Sequence, residues 1–455
     1  MRLDAKELRF DGENGRDEFN RVKVADQVIR LLTSNIDVSP MVIDGAWGTG
    51  KTEFTHKLIN RLQDQNPEYR SVYIDAFRAD HANDPLMTIL AELTTLIEDD
   101  VGKKCFVDKA VPVLRYGIKA TLKATVSHVL RQNADDIAGD LGANIEQAAN
   151  DAIDASIRSM LKDHEQAEKS LSALQNLLEG VAEKSPFLIF VDELDRCRPD
   201  FAVSMLEVIK HVFDVDGVKF VLVTNTSQLR ASINHQYGSV VDSQRYLDKF
   251  LKFRFELSNF EKHGEYRKTY IAERFFDDLI LASDQLWDSK LRHRSGGPLN
   301  EYCKDLITRN GLSLREIQTY IRYIEIYSKL RNNHKYDWHY AFEAISLLAI
   351  FISVFRPEIT ERIYSGVYSG ADISLLFGFQ SPIQEGERPT RDLIDVIGWY
   401  LCSQAQVENS YWLETKSAEF TVMKSSFESM FSGFDRDERP TFEYIISTMD
   451  LLRLI

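Results

Sequence analysis

Apolar positions along the chain follow two rhythms. Residues 19 to 33 (FNRVKVADQVIRLLT) carry them at helical spacing, which predicts an amphipathic helix. Short apolar runs come next, at Met41 to Ile43, Ser71 to Ile74, Phe187 to Val191 and Phe220 to Val223, with Lys252 to Leu257 as a further candidate. Pro40 and the glycines after Ile43 frame the first of them as a buried strand. Helical stretches from about Thr52 to Gln63 and from Pro85 to Ile97 separate the runs. Strands of this kind alternating with helices predict a parallel sheet covered on both faces, an α/β fold. Beyond about residue 260 the strand rhythm fades, and Arg267 to Ala282 and Leu314 to Leu330 predict helices. Ala344 to Phe355 is the longest apolar stretch. It is shorter than the roughly 20 residues of a membrane helix, which predicts a buried core helix. Ser295-Gly296-Gly297-Pro298 and Gly378 to Pro389 are the candidate linkers.

Composition narrows the picture. The chain has 455 residues, 44% hydrophobic and 27% charged, with a net charge of −15. That is the make-up of a globular protein of two or three domains. An excess of acids argues against indiscriminate coating of nucleic acid, an affinity that comes from neutralising phosphates. Four dispersed cysteines, with no CxxC pair, argue against a disulfide scaffold and structural zinc. The N-terminus has no apolar core, so a cytoplasmic location is expected. Residues 101 to 180 interrupt the strand–helix alternation, and the reading is a helical insertion in the α/β core. Its first part, 101 to 132, has seven Lys or Arg and one Asp; 133 to 168 has nine acids and two bases. The basic stretch Val111 to Leu130 suits either an anionic membrane surface or packing on its own acidic half. Near-cancelling charges favour the second.

Gly45-Ala46-Trp47-Gly48-Thr49-Gly50-Lys51-Thr52 satisfies GxxxxGK[ST]. Glycines let such a loop wrap phosphate with its N–H groups, Lys51 reaches the β- and γ-phosphates, and the Thr52 hydroxyl ligates magnesium. The helix that follows adds its N-terminal partial charge. Phe187-Leu188-Ile189-Phe190-Val191-Asp192-Glu193 is the partner: an apolar strand delivering two acids to the sheet edge. Asp192 is the expected magnesium carboxylate and Glu193 the base for the attacking water.

Together, GAWGTGKT and VDELDRC closely resemble the KAP family of P-loop NTPases, with Asp192-Glu193-Leu194-Asp195-Arg196-Cys197 the most specific signature. Weaker likenesses run through Tyr73-Ile74-Asp75-Ala76-Phe77-Arg78, Tyr246-Leu247-Asp248-Lys249-Phe250 and Leu314-Arg315-Glu316-Ile317. The resemblance implies an ATPase core over 1–260 and a helical lid over 261–335; it does not reach 336–455, where the helix-and-turn pattern alone predicts a further helical domain. It adds Asn225 as a γ-phosphate sensor beside Thr224, Arg315 as a lid sensor, and a charge-stabilising cation. Lys249 is preferred over Arg245, Lys252 and Arg254 for that cation, supplied in cis or by a neighbouring subunit. ATP and Mg2+ are the implied cofactors. The implied role is a nucleotide-driven switch or platform for a protein effector, with homo-oligomers expected and anti-phage defence in bacteria as the setting.

Two other readings remain. A nucleic-acid-stimulated motor or loader draws on the basic segment 286 to 336, where Tyr320, Tyr323, Tyr327 and Tyr336 are interleaved with Lys and Arg. A scaffold that binds ATP without hydrolysis would have no use for Glu193.

Overall fold

The computed structural model describes residues 5–12, 15–17, 19–97, 100–114, 168–183, 185–263, 267–286, 291, 297–331, 340–378, 392–404, 425–431 and 442–454. The chain divides into two compact units, one of Met1–Ala46 with Gly50–Leu257, the other of Trp47–Thr49 with Ser258–Ile455.

The first unit begins with α1 (Val22–Leu32), β1 (Met41–Asp44), α2 (Lys51–Gln65), β2 (Arg70–Asp75), α3 (Ala76–Ala79) and α4 (Pro85–Leu96). Two helices follow, α5 over 100–114 and α6 over 168–182. Then come β3 (Phe187–Asp192), α7 (Pro199–Val212), β4 (Val218–Thr224), α8 (Thr226–Tyr237), α9 (Ser243–Asp248) and β5 (Phe253–Glu256). The five strands form one parallel sheet in the order β2-β3-β4-β1-β5.

Alternation along the central strands explains why both faces are covered. Phe187, Ile189 and Val191 of β3 join one apolar cluster with α4 and α7, while Leu188 and Phe190 join another with α1 and α2. Successive strand side chains point to opposite faces, so an unbroken apolar run is what a doubly covered strand needs. Each of these side chains is at most 1% exposed. Burial of each contributes roughly 1.5–3 kcal/mol.

Local signals start the helices. Asp84 caps α4 by accepting from the Met87 N–H at 3.0 Å, with Pro85 at the first helical position. Pro199 opens α7 in the same way.

Of the expected insertion, α5 and α6 are described and both pack on the sheet. Phe106, Ala110, Val113, Leu174, Leu178 and Ala182 join the cluster that holds Ile189. Residues 115–167, with most of the basic stretch and its acidic counterpart, lie outside the described residues.

The second unit opens with a correction. Arg267 to Ala282 is not one helix: Phe260–His263 (β6) and Arg267–Tyr270 (β7) form an antiparallel pair, and the helix α10 is Ile271–Ala282. The strands are mostly charged and polar, so they leave no apolar rhythm to read. Helices α11 (Pro298–Arg309), α12 (Leu314–Leu330), α13 (Tyr340–Phe355), α14 (Pro357–Ser365), α15 (Gly370–Ser374) and α16 (Leu393–Ser403) follow. A short α17 over 425–430 and α18 (Phe442–Arg453) complete the unit. Pro298 therefore begins a helix and is not part of a linker; 379–389 of the other linker candidate lie outside the described residues.

Ser313 and Glu316 close a capping box at the start of α12. One apolar core runs from Phe276 to Met449 and draws on both segments that the sequence reading separates at residue 335. Helix α13 is its centre, with Ile345, Leu348 and Ile350 fully buried. No helix among the described residues is long and apolar enough to cross a membrane.

Candidate nucleotide site

All five strands of the parallel sheet end in a polar side chain at one edge: Asp44, Asp75, Asp192, Thr224 and Glu256. Strand order reverses direction at β1 and β4, which places a crevice at that edge. The loop after β1 and the acids after β3 both open there, although β4 separates the two strands.

The join is made by side chains. The Thr52 hydroxyl, in the first turn of α2, donates to Asp192 Oδ2 at 2.7 Å. The Tyr73 hydroxyl, from β2, donates to the same oxygen at 2.9 Å, and the Glu193 N–H donates to Asp192 Oδ1 at 2.7 Å. Asp192 is 1% exposed, and its burial raises its carboxyl above the usual carboxylate range, against the lowering effect of these hydrogen bonds. A buried carboxylate without such donors would be costly.

Lys51 is also buried, at 9% exposure. Its Nζ donates to the carbonyls of Gly45 at 2.7 Å and Ala46 at 3.1 Å. Burial lowers its pKa, and Asp195, Asp192 and Asp44 oppose that shift. Gly50, the residue before α2, sits at φ +81°, a left-handed turn that favours glycine. Asp44 fixes the loop's start, accepting from the Gly45 N–H at 2.8 Å and from the Thr226 N–H at 3.0 Å and hydroxyl at 2.5 Å.

The family model for the KAP family P-loop domain matches residues 21–331. The chain belongs to the KAP family of P-loop NTPases. No curated protein matches it significantly. Among solved structures it is similar to the ORC2 protein of Aeropyrum pernix in its ADPNP–ADP complexes. That likeness is 13% identical, spans 95% of this chain and 94% of that one, and has a TM-score of 0.36.

Within this KAP-family site the donor set suits magnesium. That ion prefers hard oxygen ligands, keeps several waters, and takes one or two carboxylates plus substrate phosphates from its surroundings. Thr52 and Asp192 present such oxygens 2.7 Å apart. Among the described residues no group of three or more His, Cys, Asp or Glu could hold a metal ion, so a closed protein cage is not on offer there. When bound, magnesium would neutralise charge on the β- and γ-phosphates.

The remaining candidates divide. Glu193 follows directly on Asp192 in a left-handed conformation, φ +59°, which a non-glycine residue adopts only under constraint. Both its carboxylate oxygens lie 2.9 Å from Arg196 Nη1. Asn225 caps α8, its Oδ1 accepting from the Ser227 N–H at 3.1 Å. The neighbouring Thr224 hydroxyl donates to Asp195 at 3.0 Å. Lys249 is exposed just after α9, with Nζ 5.9 Å from the Tyr246 ring. Arg245 pairs with Asp242 and Lys252 with Asp37. Arg254, by contrast, reaches to 3.5 Å from the Thr226 hydroxyl that binds Asp44.

In the second unit, Arg315 stands in the first turn of α12. There Trp47, Gly48 and Thr49 are grouped with it, and the Gly48 carbonyl accepts from the Leu314 N–H at 3.1 Å. Gly48 has φ +77°, and a Cβ on it would fall 2.7 Å from Ser313 Oγ.

Sequence reasoning did not assign Tyr73 or His56 to the site. Tyr73 was visible only as part of a family-like stretch, and its bond to a residue on another strand is a long-range fact. The aromatic content of the basic segment also needs correcting. Tyr320 is fully buried and donates to the Leu347 carbonyl at 2.9 Å, and Tyr327 is buried and donates to Ser346 at 3.0 Å. These two rings belong to the helical core and are not stacking platforms for bases; Tyr336 lies outside the described residues.

Proposed function

We propose that the chain binds ATP with magnesium, hydrolyses it, and uses the nucleotide state to control a protein partner. The observation that carries this reading is the 2.7 Å bond between Thr52 and Asp192, which ties the helix after the phosphate loop to the acidic strand end. Lys51 holds the β- and γ-phosphates, the loop N–H groups and the N-terminus of α2 cradle them, and Glu193 Oε takes a proton from the attacking water. Arg196 holds the Glu193 carboxylate until that water arrives.

The test is phosphate release from ATP with Mg2+ and with EDTA, in the absence and presence of DNA, RNA and anionic liposomes. The expected outcome is Mg2+-dependent turnover indifferent to all three additions. Stimulation by nucleic acid would favour a motor or loader instead. Turnover per chain that rises with protein concentration would support a homo-oligomer whose neighbour completes the site. For the switch, capture from cell extract should retain a partner on the ATP-loaded protein and release it from the Lys51→Ala variant. A role in anti-phage defence rests on the family alone. It predicts fewer plaques on bacteria expressing the chain, and no protection from Lys51→Ala.

A further inference from the structure

Asp192 Oδ2 accepts two hydroxyl donors, and only one of them belongs to the phosphate-loop pattern. Thr52 comes from the loop's own helix. Tyr73 comes from β2, two residues before that strand's end, and its hydroxyl lies 2.9 Å from the same oxygen. The other carboxylate oxygen is held by the Glu193 N–H. The two ends of the carboxylate are thus fixed from three directions, and rotation about its Cβ–Cγ bond would break at least one bond.

Tyr73 is itself braced. His56 lies one helical turn after Thr52 on α2, on the same side of the helix, and its ring centroid is 4.3 Å from that of Tyr73 at an interplanar angle of 42°. One turn of α2 therefore supplies both a hydroxyl for Asp192 and an aromatic backing for the second hydroxyl.

We propose that Tyr73, backed by the His56 ring, is a positioning residue that orients Asp192 toward the magnesium of a bound Mg·ATP. This rests on the ATP reading above. When the Thr52 oxygen turns a lone pair to the cation, Tyr73 is the donor from outside the loop that still fixes Oδ2. Without it the carboxylate has one restraint fewer and must be reoriented as the cation binds. Residues that hold a metal's ligands in place typically change metal affinity 10- to 100-fold when altered.

The experiment separates nucleotide from metal. Wild type, Tyr73→Phe, His56→Ala and His56→Phe are each loaded with a fluorescent, non-hydrolysable ATP analogue in EDTA. Mg2+ is then titrated in excess over EDTA while the fluorescence of the bound analogue is followed. Tyr73→Phe should bind the analogue in EDTA within about twofold of wild type, and its Mg2+ half-saturation should rise about 10-fold. His56→Ala should behave like Tyr73→Phe, while His56→Phe, which keeps a ring against Tyr73, should stay close to wild type.

An unchanged Mg2+ half-saturation in Tyr73→Phe overturns the proposal while leaving the ATP reading intact. Loss of analogue binding in EDTA by Tyr73→Phe also overturns it, since the tyrosine would then be structural support for the loop. If the wild type itself binds no analogue, the ATP reading falls and this inference falls with it.

Discussion

At the scale of single residues, Lys51 and Glu193 are where the proposed binding and the proposed chemistry can be tested apart. Lys51 is the buried cation of the loop, and nothing polar in an alanine side chain replaces its Nζ. Lys51→Ala should abolish binding of a fluorescent ATP analogue; affinity equal to wild type would sink the phosphate-loop assignment. Glu193→Gln keeps the shape of the side chain and removes its capacity to accept a proton. Analogue binding should persist while steady-state turnover falls by at least about 10²-fold, the scale of general-base loss. Turnover near the wild-type rate would move suspicion to Asp195, which is buried beside Thr224.

The residues legible in advance are those whose chemistry is written in consecutive letters, GAWGTGKT and VDE. Tyr73 and His56 were not, because only the folded sheet brings β2 and α2 to Asp192. Lys249, singled out only by a family-like stretch, is exposed beside Tyr246; turnover of Lys249→Ala is the measurement that bears on its proposed role, in cis or from a neighbouring subunit.

Among elements, the central strands were legible because a doubly buried strand must be apolar at every position. Phe190 of β3 is fully buried, between residues that face the opposite side of the sheet. Phe190→Ala should lower stability by about 3–5 kcal/mol, read by urea denaturation. A loss below about 1 kcal/mol would mean that this face is not packed as described.

The β6–β7 pair escaped notice for the complementary reason, a strand with few apolar residues. The stripe Ile317, Tyr320, Ile321, Ile324 and Tyr327 of α12 has the helical spacing of a core face, and the surrounding Lys and Arg occupy other positions of the same helix.

Arg61 of α2 donates to both oxygens of Asp26 in α1, at 2.6 and 3.1 Å, and this hydrogen-bonded pairing holds the Asp26 carboxyl below its ordinary pKa. Stability from a depressed carboxyl is present above the unfolded pKa and lost as pH falls through the folded one. Arg61→Ala should therefore be slightly less stable than wild type at pH 7, by at most about 1 kcal/mol because the pair is partly solvated. The gap should narrow below about pH 4 and vanish at lower pH. A gap that widens with acid would contradict the assignment.

At the scale of the whole molecule, among the described residues the apolar clusters of the sheet and of the helical unit share no buried member. Calorimetry should resolve two transitions. An ATP analogue with Mg2+ should raise the one belonging to the sheet, by about 2.7 kcal/mol of stabilisation at a ligand concentration of 100 Kd. A single transition, or two that ignore nucleotide, would refute this. The two-part division was only partly visible in the sequence. The strand rhythm fades near residue 260 and the second unit's main segment begins at Ser258, while the shared core from Phe276 to Met449 depends on packing between helices far apart in the chain.

The strand order also bears on how the protein is made. Among the described residues, β1, which leads into the phosphate loop, pairs with β4 and β5, at residues 218–224 and 253–256. During synthesis Met41, Val42 and Ile43 leave the ribosome before either of these native partner strands has been made. Strands β2 and β3 can pair with each other before that. Long-range pairings of this kind form slowly and leave apolar surface exposed in the interval. Translation must therefore proceed past residue 256 before β1 is paired on both sides, and a chain released earlier would carry the complete GAWGTGKT motif on a strand missing at least one neighbour.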